Sequence, residues 1–214
     1  MNVLSRFDFF KVETKPLVFD FRSLLLKDLL PILQERDRKI HILDFSVVHP
    51  ANIEFFTNSM LCKWYVAELD DWTQQAADNP SISLESETEV QMDCSWFLPP
   101  TTKLDLVLVW DLLDYLTTEQ FKQWFKLLTR FCCKHSLMFA LVSNQSQMPK
   151  QSGRFKIRGP EHLQVVYPSH VKTESPRHSQ THLGKIMPGF AVRRSYLLQN
   201  GMQEYLLEYA GDNA

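Results

Sequence analysis

Glycine is scarce and unevenly placed. All six glycines, Gly153, Gly159, Gly184, Gly189, Gly201 and Gly211, lie in the last third of the 214-residue chain. The first 152 residues therefore hold no glycine-rich phosphate loop, which excludes a P-loop and an intact GxGxxG fingerprint there. Long apolar runs are missing too, and none approaches the ~18 to 20 residues that a membrane-spanning helix needs. Met1 to Lys11 alternates polar and aromatic residues without a continuous apolar stretch, so no secretory signal is expected there. The four cysteines, Cys62, Cys94, Cys132 and Cys133, form no CxxC pair. Reduced thiols in the cytoplasm are expected, rather than a disulfide framework or a zinc site. Neither charge sign dominates. A formal net charge of -2 argues against a broad nucleic-acid surface. The basic residues Lys150, Arg154, Lys156 and Arg158, then Arg193 and Arg194, read as a solvated face.

What is present is an ordinary globular composition, 44% apolar and 22% charged, in a chain of single-domain length. The apolar run at 39–48 (KIHILDFSVV) predicts the first buried strand of a parallel sheet, with Asp44 and Ser46 set inside it. Before it, Phe21, Leu24, Leu25, Leu29, Ile32 and Leu33 recur at helical spacing, which predicts a helix from Asp20, capped by Asp20 or Ser23. Residues 51–61 predict a short helix with Ile53, Phe56 and Met60 inward, and residues 64–70 a second strand ending in the acids Glu68 and Asp70. Residues 71–90 are polar and loop-like, and 91–97, with Asp93, read as a weak third strand.

Residues 104–110 (LDLVLVW) are the clearest buried strand. Asp111, Asp114 and Tyr115 leave it, and Thr117 or Thr118 with Glu119 or Gln120 predicts a helix start. Residues 135–142 predict another buried strand. The polar stretch 143–176, broken by Pro149, Gly153, Gly159, Pro160 and Pro168, reads as a long loop or lid. A short helix at 178–187 and a hairpin around Asn200-Gly201 close the chain. His178 and His182 stand one helical turn apart, but no HExxH or nearby cysteine turns them into a metal site, so none is expected. Strands alternating with helices predict a single α/β domain over residues 1–214, Rossmann-like, with a mostly parallel sheet, helices on both faces and a C-terminal antiparallel hairpin. Within it, residues 1–38 form an N-terminal segment and helix.

In the order of these elements, and in the Ile186-Met-Pro-Gly-Phe190 turn into the hairpin, the chain resembles class I S-adenosylmethionine-dependent methyltransferases over roughly residues 20–210. The resemblance implies a cofactor site holding S-adenosylmethionine on Asp44, Ser46, Glu68 or Asp70, and Asp93. It implies that Asp111, Asp114 and Tyr115 face the methyl group as catalytic or substrate-facing residues. The chain departs from the family at Val47, Val48 and Pro50, whose β-carbons narrow the cofactor loop. Two functions follow as expectations: a methyltransferase-like protein with weakened or lost cofactor binding and an unknown methyl acceptor, or an inactive relative that binds a protein partner through 143–176. An NAD-type enzyme is set aside because its glycine fingerprint is missing.

Overall fold

A computed structural model describes residues 15–67 and 98–211. In chain order it contains β1 (Leu17–Arg22), α1 (Leu26–Gln34), β2 (Ile40–Asp44), α2 (Pro50–Thr57) and β3 (Cys62–Val66). β4 (Leu104–Trp110), a short 3-10 turn (Leu112–Tyr115), α3 (Thr118–Thr129) and β5 (Cys132–Ser143) follow. β6 (Gln147–Pro149), β7 (Arg154–Gly159), β8 (His162–Tyr167) and β9 (Lys172–Glu174) lead to α4 (Gln180–Ile186), β10 (Phe190–Leu197) and β11 (Met202–Tyr209).

Six strands form the central sheet in the order β10-β11-β5-β4-β2-β3. β3, β2, β4 and β5 run parallel, while β11 pairs antiparallel with β5 and with β10. Every residue of β4 is buried, as a continuous apolar run at the centre of a covered sheet requires. α3 begins with the anticipated capping box, Thr117 and Gln120 each accepting from the other's backbone amide. At the closing hairpin Gly201 holds φ +81°, which a residue with a β-carbon adopts only at a cost. This is the sheet, and the closing hairpin, of the class I methyltransferase type.

Both faces of the sheet are covered. Phe121, Trp124 and Leu128 of α3 and Leu183 of α4 fill one side together with Val107 and Val109. Leu26, Leu29 and Leu33 of α1 and Phe56 of α2 fill the other with Ile42, Leu106 and Leu108. At the far end of β4 the buried Asp105 takes hydrogen bonds from Arg36, from Arg38 (2.9 Å to Nη1) and from the amide of His41 (2.9 Å). That network ties the α1–β2 connection to the sheet. None of the described helices is long and apolar enough to cross a membrane.

The second face holds what the sequence pattern misjudged. Residues 17–22 form β1, not the start of a helix, and pair antiparallel with β8. The helix begins only at Leu26, with Ser23 Oγ accepting from Leu26 N at 3.3 Å, and Asp20 caps nothing. Fully buried Glu204 of β11 accepts from Leu24 N (2.9 Å) and Leu25 N (3.2 Å), so a distant acid satisfies the amides at this helix start. In α2 the inward polar residue is Asn52, beside Phe56, whereas Ile53 and Met60 are only half-buried.

The long loop anticipated at 143–176 is instead strand-rich. β7 and β8 make a hairpin that joins β1 in a three-stranded sheet of order β1-β8-β7, and β6 pairs with β9. Phe155, Ile157, Leu163, Val165 and Tyr167 alternate inward and pack on the α1/α2 face of the main sheet. Their period of two residues was hidden among the polar residues and turn formers around them.

Candidate functional site

The strand order reverses between β2 and β4, since β2 leads outward to β3 and β4 leads outward to β5. In open α/β sheets the ligand crevice lies beyond the carboxyl ends of the strands at such a reversal. Asp44 ends β2 there and Trp110 ends β4, and the two meet. The Trp110 Nε1–H donates to Asp44 Oδ1 at 2.6 Å, and Ser46 Oγ donates to the same oxygen at 2.8 Å. Burial pushes the Asp44 carboxyl up to about 6 against the pull of these donors, and its Oδ2 has no partner.

Trp110 pays for its position. Its φ is +53°, at a register shift in the β4–β5 ladder, and a bulky residue in that region costs roughly 1 to 3 kcal/mol. Packing holds it there. The indole stacks on Phe155 of β7 with centroids 5.0 Å apart and planes 9° from parallel, and meets Phe139 edge-on at 5.7 Å. Trp110 and Phe155 are each 1% exposed and Asp44 is fully buried. Beside them, Asn52 in the first turn of α2 donates from Nδ2 to Phe155 O (3.0 Å) and accepts at Oδ1 from Ile157 N (2.8 Å). One side chain thus replaces a strand neighbour for β7. The indole and Phe155 of β7 thus pack at this edge of the sheet, and of the groups expected to hold a cofactor Asp44 Oδ1 and Ser46 bond each other and Trp110, while Asp44 Oδ2 stays unpartnered. Glu68, Asp70 and Asp93 lie outside the described residues.

Asp111, Asp114 and Tyr115 are brought together, on the strand-five side of the reversal. They line a cavity of about 350 Å³ between the carboxyl ends of β4 and β5, the hairpin turn and the two small sheets. Asp111 accepts from Ser152 Oγ (2.5 Å), from Gly153 N (3.1 Å) and from the Tyr167 hydroxyl. A β-carbon on Gly153 would lie 2.3 Å from Val165 Cγ2, so this close docking of the insert calls for glycine. The Tyr115 hydroxyl lies 2.9 Å from Pro149 O and 3.0 Å from Gln151 O. Asp114 Oδ2 accepts from Ser143 N at 2.7 Å, while its Oδ1 has no partner. Neither acid is a solvated strand end and neither caps α3. Asp111 and Tyr115 tether the insert that follows β5, and Asp114 holds the end of β5 itself.

Burial is the main cause of their shifted acidities. It raises Asp111 to about 6 against its three donors, and raises Asp114 to about 8 with help from the neighbouring Asp111 charge. Tyr115 and Tyr167 are driven up as well, first by burial and then by the Asp111 charge. Little in the residue pattern warns of Trp110 and Asn52. A tryptophan at the last residue of a buried strand and an asparagine on an inward helix position look like core filler, and only their partners reveal otherwise.

No protein-family model matches the chain, and no curated protein matches it in sequence. Solved structures do match. One is the Burkholderia thailandensis 1,6-didemethyltoxoflavin-N1-methyltransferase with bound 1,6-didemethyltoxoflavin and S-adenosylhomocysteine, at 11% identity and TM-score 0.46, over 88% of this chain and 80% of that one. Another is an S-adenosylmethionine-dependent methyltransferase from Clostridium acetobutylicum, at 12% identity and TM-score 0.47, over 87% and 91%. A third, from Aquifex aeolicus, has 13% identity and TM-score 0.43, over 86% and 92%.

Proposed function

We propose that this chain is a methyltransferase-like protein whose cofactor crevice is given over to internal packing, and that it acts by binding rather than by methyl transfer. S-adenosylmethionine is the cofactor of similar folds, and its binding here is weakened by the chain's own residues. The observation that carries this reading is the Trp110 indole, held at the switch point by Asp44 and stacked on Phe155. The glycine-free loop 45–52 supports it. So does the use of Asp111 and Tyr115 as tethers for the segment after β5 and of Asp114 as a partner of the β5 end, since these bonds are to the protein itself.

Calorimetric titration with S-adenosylhomocysteine tests it. The unaltered protein should bind no more tightly than about 100 μM, about -5.5 kcal/mol. Trp110→Leu, which removes the indole but keeps the position apolar, should bind at least about tenfold more tightly. A micromolar dissociation constant in the unaltered protein would sink the reading, and an unchanged affinity in Trp110→Leu would remove its explanation.

A further inference from the structure

The cavity beside Asp114 has a volume within the range of small-molecule sites, roughly 300 to 1,000 Å³. Its walls are mainly apolar, with Leu17, Phe19, Met148, Val165 and Met202 around the ring of Tyr167. Phe19 meets Tyr167 edge-on at 6.1 Å and is 41% exposed, so it stands at the mouth. Against these walls lie two carboxyl groups. Asp111 has every donor it needs from the insert. Asp114 does not: it is 6% exposed, lines the cavity, and carries an oxygen with no hydrogen-bond partner. An unpartnered acceptor buried at the wall of an apolar cavity of ligand size is an incomplete contact, and a donor that reaches it from the cavity completes it.

We propose that this cavity binds a small organic cation with an apolar, aromatic-sized body, its ammonium group seated against Asp114. Once deprotonated, the two carboxyl groups disfavour an organic anion. Lys172 and His170 also line the cavity, from β9 and the turn before it, and with Asp111, Tyr115 and Tyr167 they are the titratable groups that share its wall with Asp114. Ser143, Gln145 and Asn200 face it without charge. The proposal does not rest on the state of the cofactor crevice, because its residues share no hydrogen bond with Asp44, Ser46 or Trp110 among those described.

Linkage gives the binding a pH signature. With Asp114 raised to about 8, the free protein holds a proton there at neutral pH. Seating a cation requires the carboxylate, so that proton leaves, and affinity rises with pH up to about 8.

The test is calorimetry on the full chain with benzylamine and tryptamine, with benzyl alcohol as the neutral analogue and phenylacetate as the anionic one. Two buffers of different ionisation heat report proton release. Benzylamine should bind at least about tenfold more tightly than benzyl alcohol, tighten from about pH 6 to about pH 8, and release protons. Asp114→Asn should erase the preference for amine over alcohol, since its amide oxygen can still accept from Ser143 N but carries no charge. Phe19→Ala, at the mouth, should weaken both ligands and leave the preference intact. Equal binding of amine and alcohol, absence of proton release, or an amine preference that survives in Asp114→Asn would each overturn the proposal. So would silence from every probe. If Asp114→Asn does not fold, proton release by the unaltered protein decides the matter. Failure here leaves the S-adenosylhomocysteine titration untouched, because that ligand probes the Trp110 crevice.

Discussion

Two buried acids stand at the carboxyl edge of the same sheet and meet different surroundings. Asp44 is covered by an indole from the next strand, with Ser46 as a second donor to the same oxygen. Asp114 has one backbone donor and an open cavity beside it. Burial raises both; the Trp110 and Ser46 donors pull Asp44 back, whereas Asp114 has the Ser143 amide alone against it and a small further push from the Asp111 charge. The lesson is that an acid at a strand end says little about function until its neighbours are known. At the first position the chain supplies its own occupant, and at the second it leaves room for another.

That contrast breaks most readily at the indole. Trp110→Ala removes a fully packed aromatic and takes a donor from Asp44, so equilibrium denaturation should show a loss of about 3 to 5 kcal/mol. A loss below about 1 kcal/mol would mean that the crevice is not packed as a core. Next is Asn52→Ala, which strands Phe155 O and Ile157 N in a buried place. About 2 to 3 kcal/mol should be lost, with faster amide exchange at Ile157 as the local sign.

The pH dependence of stability then separates the two acids. A folded acidity raised from 3.8 means that the native state holds its proton longer than the unfolded chain does. The associated stability is present below the unfolded value and is lost as pH rises through about 6 for Asp44 and Asp111, and through about 8 for Asp114. Between about pH 6.5 and about pH 8.5 the melting temperature should therefore fall, by up to about 1.4 kcal/mol per pH unit in free-energy terms. Asp114→Asn should flatten that fall, and a slope that persists in the variant would place its origin elsewhere. The smallest effect belongs to Asp44→Asn. Its amide oxygen can still accept from Trp110 and Ser46, so at about pH 5 stability should change by less than about 1 kcal/mol.

Much of the frame was legible in advance. The run LDLVLVW, the Thr117–Gln120 capping box and Asn200-Gly201 each announce their element, because each depends on residues within a few positions of one another. Segment 17–22 was misread because Phe21, Leu24 and Leu25 satisfy a helical spacing, while the deciding contact is pairing with β8 far along the chain. β7 and β8 were missed for a related reason, since their short alternating runs gain meaning only when they close onto α2 and Trp110. Asp111, Asp114 and Tyr115, expected to face a methyl group, line one cavity, and the partners of Asp111 and Tyr115 come from the insert after β5.

By itself, then, the sequence determined a parallel α/β sheet with a closing hairpin and a first-strand loop without glycine, because periodicity, capping and turn chemistry act locally. Only the tertiary structure decided what fills the crevice and what stays open. Asp44, Trp110 and Phe155 belong to three different strands, and only the folded sheet brings them to one point, where the indole bonds the acid and stacks on the ring.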